Sequence, residues 1–211
     1  MKGGHFFNSG VLFKTAVTAF ERLNTSPSEK DAGHNDALVA ILFSAAALEA
    51  FIMELAILAD TDAKLLGHKS FESVAAILDE AESSRGSIRL KFLLASFVLG
   101  GEAYDKGSHP FQDFDTLFSL RDTIVHMKPE KITGDPHKIL QRLEANGLCE
   151  NAEPGVTESW ISRVSTRAVA RWACNVVVAM EESLKESLPA ELKNTRMFSF
   201  SSLGNRFKRV E

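Results

Sequence analysis

One stretch of the sequence joins a fixed cation to a side chain that titrates near neutral pH: RDTIVH, from Arg121 to His126. A guanidinium group can hold phosphate oxygens with its forked donors, and an imidazole can exchange protons with an attacking or leaving oxygen. Together they are the minimum equipment for cleaving a phosphodiester without a metal ion. An arginine and a histidine at this spacing also occur by chance, so the elements around them must decide their meaning.

Arg121 belongs to a stripe of apolar residues at helical spacing, which predicts that it faces the core. An isolated charge is too costly to bury, so we expect this arginine to be paired or hydrogen-bonded. The other members of the stripe are Phe114, Leu117, Phe118, Ile124 and Val125.

An acidic partner is predicted on a long upstream helix. Asp36 and Glu54 are eighteen residues apart, which is five full turns, so they share one face of that helix. Glu49 points about 140° away from that face, among apolar side chains, and is predicted to be a supporting buried acid paired with Arg121. A pair that only fixes the register of two helices is the competing interpretation.

Composition is typical of a soluble globular protein, with 45% hydrophobic and 25% charged residues among 211. Two cysteines provide neither a disulfide framework nor metal-ligand spacing, and the histidines are scattered, so no metal or other cofactor is expected. Residues 1–10 lack a basic start followed by an apolar run, as a secretory signal would have. A reducing cytoplasm is therefore the predicted location.

The periodic segments predict an all-α protein, because no alternating run between turns indicates a strand. We expect one helical-bundle domain over residues 1–187 and a basic tail over residues 188–211, which carries a net charge of +3. Such a tail can attract phosphate or a neighbouring subunit, or can simply be solvated. The predicted helices span about residues 11–23, 36–59, 70–83, 87–99, 110–128, 136–147 and 158–188.

Residues 38–59 are apolar for about the length of a bilayer crossing. Glu49 and Glu54 lie within this segment, and a charge deep in a bilayer costs about 2.5–3.5 kcal/mol on insertion scales. No Lys or Arg flanks the segment closely. It is therefore predicted to be the central helix of a soluble bundle, with no membrane partner.

The sequence resembles the HEPN superfamily (higher eukaryotes and prokaryotes nucleotide-binding), whose mark is an arginine, four to six residues and a histidine. Here Arg121 is followed by the polar Asp122, and His126 precedes Met-Lys-Pro. SAAALEAFI, residues 44–52 with Glu49, resembles the upstream helix in which that family often carries an acid. The resemblance covers residues 36–129; residues 130–158 and the tail match nothing known to us.

The resemblance implies an up-and-down helical bundle, here with an extra C-terminal helix and tail, that forms a homodimer. Catalytic members cut RNA without a metal, and many are toxins or antiviral effectors, so an antitoxin or defence partner is implied. In this sequence, Arg121 would clamp the phosphate, His126 would move the proton, and Asp122, four residues earlier, would orient the imidazole. Non-catalytic binding modules of the same fold, and a bundle unrelated to the family, are the alternatives.

The directions of Arg121 and His126 around a single helix present a difficulty for the nuclease interpretation. On a regular helix Arg121 and His126 diverge by about 140°, so one copy does not aim both at a single phosphate. Two copies that meet across a two-fold axis would resolve this, as would local unwinding before Pro129. The dimer is the interpretation that we favour.

Overall fold

The computed structural model of the chain describes residues 6–25, 33–127, 138–149, 159–188 and 207–211. These residues form eight helices and no strand, so the predicted all-α class is confirmed. In chain order the helices are α1 (Ser9–Thr25), α2 (Gly33–Leu66), α3 (Lys69–Ser83), α4 (Ile88–Gly100), α5 (Phe111–Val125), α6 (Lys138–Ala145), α7 (Trp160–Val164) and α8 (Arg167–Glu186).

Helix α2 is the centre of the bundle and packs against α1, α3, α5 and α8. Its inner side chains, such as Ile41, Leu48 and Ile52, are fully buried in one continuous apolar core. The small residue Ser44 lets α8 come close, and its hydroxyl lies 3.7 Å from Cys174 Sγ. The finer up-and-down, HEPN-like arrangement stays a prediction.

Helix α2 is longer than the apolar pattern predicted: it continues past Ala59 to Leu66. The added turns are polar but contain no helix breaker, and Lys64 pairs with Asp60 one turn before it at 2.5 Å. The helix ends where Gly67 takes a left-handed conformation (φ 69°) and its N–H bonds the carbonyl of Ala63.

By length and composition α2 could cross a membrane: residues 35–65 contain a window with a mean hydropathy of 2.1. Within that window, 61% of the residues are buried inside the protein, as is usual for a core helix. The burial is compatible with a soluble bundle and gives no evidence about location in a cell.

The prediction of one long helix over residues 158–188 was wrong. The chain breaks after the short helix α7, and α8 begins at Arg167. Ser165 and Thr166 leave the helical conformation, and the Thr166 hydroxyl accepts a hydrogen bond from the N–H of Val169, which caps α8. A threonine before two good helix formers, Arg167 and Ala168, is a start signal that the continuous apolar pattern concealed.

Part of the predicted tail belongs to the bundle. Phe207 is buried, and its ring packs edge-on against Phe13 and Phe51, with centroids 4.8 and 5.8 Å away. Nearby, the backbone of Val210 exchanges two hydrogen bonds with the side chain of Asn175 on α8. The boundary predicted at residue 188 therefore misassigned residues 207–211, while residues 189–206 lie outside the described residues.

Candidate functional site

Helix α5 carries the Arg–His motif and is anchored by its aromatic face. Phe114, Leu117 and Phe118 are fully buried, and Phe114 packs against Phe92 of α4 with ring centroids 4.8 Å apart. The apolar stripe predicted from the sequence is thus the buried face of α5 except at its last residue, Val125, which is 55% exposed. Arg121 lies one turn beyond Leu117 on this face, at the point where the helix reaches the edge of the bundle.

Two carboxylates hold the guanidinium group of Arg121. Nη2 donates to Glu49 Oε1 at 3.1 Å and Oε2 at 3.3 Å, and Nη1 donates to Asp122 Oδ1 at 2.9 Å. The pair of Arg121 with Glu49 is the one that the helical phases predicted. An arginine has five N–H donors, so after these three bonds at least two remain to bind an anion, counting contacts among the described residues.

Glu49 is not the buried acid that the sequence predicted. Its side chain is 38% exposed and that of Arg121 is 32% exposed. Glu49 lies on the face of α2 that carries Leu42, Ala46 and Met53, all only partly covered. Because α2 is apolar almost all round, apolar neighbours on one face did not establish that the face is buried.

Two acids of α2 are buried, Glu54 and Asp62, and the contacts of Glu54 explain why it is there. Its carboxylate accepts hydrogen bonds from the N–H groups of Asn8 and Ser9, the latter at 2.7 Å, and from the Ser9 hydroxyl. These N–H groups open α1, where a helix leaves donors unpaired and favours a negative charge. Glu54 therefore caps α1 from another helix, which no local sequence signal could reveal.

His126 ends α5 as its C-cap residue, and its side chain is exposed. Within the described part of the chain its imidazole has no hydrogen-bond partner. Asp122 bonds Arg121 instead of the imidazole, so the predicted orienting contact is not formed in this structure. Lys128 and Pro129, which follow the motif, lie outside the described residues.

Arginines recur every four residues at Arg163, Arg167 and Arg171, a spacing that would form a basic ridge on one continuous helix. The turn between α7 and α8 breaks this ridge. Arg163 is paired with Glu144 of α6, and Arg167 lies over the Phe20 ring, 5.5 Å from its centroid. Arg171 is exposed on α8 and has no partner among the described residues.

Other catalytic chemistries find little support in the described residues. No three His, Cys, Asp or Glu side chains there come together as metal ligands. Burial raises the pKa of the Cys149 and Cys174 thiols to about 11 each, which keeps both protonated at neutral pH. Neither cysteine is therefore an activated nucleophile.

A second ionic cluster on α5 was not singled out from the sequence. Asp115 pairs with Arg89 of α4 and with Arg142 of α6, the latter at 3.2 Å. Arg89 Nη2 also donates to the Ser119 hydroxyl at 3.1 Å and to the Asp115 carbonyl at 3.2 Å. The spacing of Asp115, Ser119 and Asp122 (four and then three residues) is a signal that could have revealed a polar face of α5.

No family model, curated protein or solved structure matches this chain. The HEPN resemblance therefore depends on the motif and on the pairing of its arginine.

Proposed function

We propose that the chain is a HEPN-like, dimeric and metal-independent endoribonuclease. The observation that carries the proposal is the end of α5, where an exposed histidine follows an arginine oriented by two carboxylates. The cytoplasmic toxin or defence setting and its partner protein, which the resemblance implies, stay predictions.

Arg121 is suited to a phosphate that gains charge during the reaction. Glu49 and Asp122 fix its guanidinium group before substrate arrives, so little reorganisation is needed when the phosphorane forms. The remaining N–H donors can each give a charge-assisted hydrogen bond to a phosphate oxygen. Partial exposure leaves these donors accessible to a nucleic-acid strand.

His126 supplies the proton transfers in this proposal. One imidazole takes the proton of the RNA 2′-hydroxyl as its oxygen attacks the neighbouring phosphorus, and a protonated imidazole gives a proton to the leaving 5′-oxygen. The phosphorus–5′-oxygen bond breaks, which leaves a 2′,3′-cyclic phosphate and a 5′-hydroxyl. Each His126 of a two-fold dimer can perform one transfer at the composite site.

The surface around Arg121 supports a dimer of this kind. On α2, the face that holds Glu49 continues through the partly covered Leu42 and Met53. On α5, Val125 and Met127 are more than half exposed on either side of His126. Apolar side chains that border a charged site are typical of an interface that closes over it.

A non-catalytic binding module is the second candidate, and one observation favours it. Glu49 and Asp122 together carry two negative charges against the single positive charge of Arg121, so the arginine is already more than neutralised. The described residues also give the His126 imidazole no partner that would orient it. An arginine in that position can serve only to join α5 to α2.

The proposal is tested by incubating the purified full chain with single-stranded RNA in excess chelator and analysing the ends of any products. We expect internal cleavage with 2′,3′-cyclic phosphate and 5′-hydroxyl ends. A folded dimer that cuts no RNA would contradict the proposal and favour the binding module.

A further inference from the structure

Beyond the motif itself, we propose that Arg89 and Arg142 form a second binding site for the RNA backbone, several nucleotides from the cleaved bond. This inference rests on the proposed ribonuclease function and extends it along α5. The observation that carries it is the position of the Asp115 cluster on the same side of α5 as His126.

Four polar residues of α5 share one face. Asp115, Ser119, Asp122 and His126 are separated by four, three and four residues, which places them within about 60° of one another around the helix axis. From the first to the last is roughly 16 Å along the axis. A stacked nucleic-acid strand advances about 3.4 Å per nucleotide, so this face is long enough for several consecutive phosphates.

Arginines lie near both ends of this face: Arg89 and Arg142 come from α4 and α6, and Arg121 belongs to α5 itself. At one end Arg89 and Arg142 converge on Asp115, and at the other Arg121 is bonded to Asp122, next to His126. The Asp115 cluster sets two guanidinium groups against one carboxylate, so it carries one net positive charge.

Arg142 is the member of the cluster that is best placed to contact a ligand. Its side chain is 56% exposed and uses one of its five donors on Asp115, at 3.2 Å. Lys138, one turn earlier on α6, is exposed as well. A surface ion pair of this kind is weak, so a phosphate can bridge Arg142 and Arg89 without a large energetic cost.

The test measures binding of a single-stranded RNA oligonucleotide to the full chain carrying His126→Ala, which keeps the substrate intact. Arg142→Ala and Arg142→Glu are added to this background, with Arg171→Ala on the exposed face of α8 as the matched control. We expect Arg142→Ala to weaken binding about 3- to 10-fold and to lower the slope of log affinity against log salt by about 0.7, the value for one lost phosphate contact. Arg142→Glu should weaken binding further, and Arg171→Ala should change neither quantity.

A second measurement separates this site from the motif. With otherwise wild-type protein, Arg142→Ala should lower kcat/KM for a long RNA and leave the single-turnover rate at saturating RNA unchanged. Thermal melts check that the Arg142 variants fold, as we expect because the Arg142 side chain is exposed.

The two ways of failing are distinguishable. If the His126→Ala protein binds RNA and the Arg142 substitutions alter neither its affinity nor its salt slope, the second site is refuted and the ribonuclease proposal stands. If the folded wild-type protein neither binds nor cuts RNA, both proposals are refuted.

Discussion

At the scale of single residues, Arg121 has a fixed orientation and an incomplete set of partners. Glu49 and Asp122 take three of its hydrogen bonds, which leaves at least two of its five N–H donors without a bond to the described residues. An arginine held in this way can bind an anion, or it can serve only as a link between α5 and α2. Substitutions of its partners separate the two.

The two glutamates of α2 form a matched pair for testing how much each acid contributes to the free energy of unfolding. Because Glu49 and Arg121 are each about a third exposed, Glu49→Ala should lower the free energy of unfolding by only about 0.5–1 kcal/mol. Glu54→Ala should cost about 2–3 kcal/mol, because it leaves buried donors of α1 without their acceptor. Urea denaturation measures both values.

The opposite order of effects would contradict this assignment. A loss of 3 kcal/mol or more in Glu49→Ala is what a fully buried pair would show, on the order of values for buried ion pairs. In that case the exposure of the site would be smaller than the structure indicates.

Helical phase predicted which residues would pair at the site, but it did not predict their surroundings. Arg121 and Glu49 could be matched because each is a charged residue that falls within an apolar face of its own helix. Their exposure depends on which other helices cover the outer face of α2. The sequence of an almost uniformly apolar helix does not indicate which of its faces is covered. For the same reason Glu54, whose partners lie at the start of α1, could not be identified as a buried acid.

At the scale of elements, the helices with clear boundaries were predictable. Gly86 before Ser87 marked the start of α4, where the Ser87 hydroxyl accepts a hydrogen bond from the N–H of Leu90. The break between α7 and α8 was missed because apolar residues continue on both sides of Thr166 at helical spacing. Periodicity alone does not register a cap within an apolar pattern.

The packing of residues 207–211 is tested with two phenylalanines of contrasting exposure. Phe207→Ala should lower the free energy of unfolding by about 3–5 kcal/mol, because it removes a buried ring from between Phe13 and Phe51. Phe6→Ala is the control, since that ring is 93% exposed. Equal stability of the two variants would mean that residues 207–211 behave as the solvated tail predicted from their charge.

At the scale of the whole molecule, the proposed composite site requires a dimer. We expect the wild-type chain to sediment at twice its mass at micromolar concentration, with an interface of more than about 1,000 Å². Val125→Glu should shift the protein to monomer and abolish cleavage, because it places a charge on the apolar border of the site. Leu65→Glu, an exposed position at the far end of α2, should do neither.

A strictly monomeric wild-type protein would rule out the composite site. It would leave the single-chain alternatives, a binding module or a locally unwound α5.

Three weakly acidic side chains, one buried and two partly buried, have raised pKa values that make the stability of the fold sensitive to alkali. Burial raises the pKa of Tyr104 to about 12 and that of Cys149 and Cys174 to about 11. The unfolded chain loses these protons at lower pH than the folded chain does, so the free energy of unfolding should fall as pH rises from about 9 to 11, with Tyr104 adding to the fall between about 10 and 12. Urea midpoints across this range measure the slope.

Cys174→Ala should make the alkaline slope shallower, because one of the three proton losses is removed. A stability that stays constant from about pH 8.5 to 10.5 would mean that the thiols are not buried as described.

The measurement that tests the central proposal most directly is the rate of RNA cleavage in excess chelator by wild-type protein and by His126→Ala, with equal folding verified by thermal melts. His126 is exposed, so its loss should leave the fold intact while the cleavage rate falls by about 10²–10⁴, as expected for removal of a general acid–base. An unchanged rate in folded His126→Ala would show that the activity comes from another site or another protein, and would contradict the account.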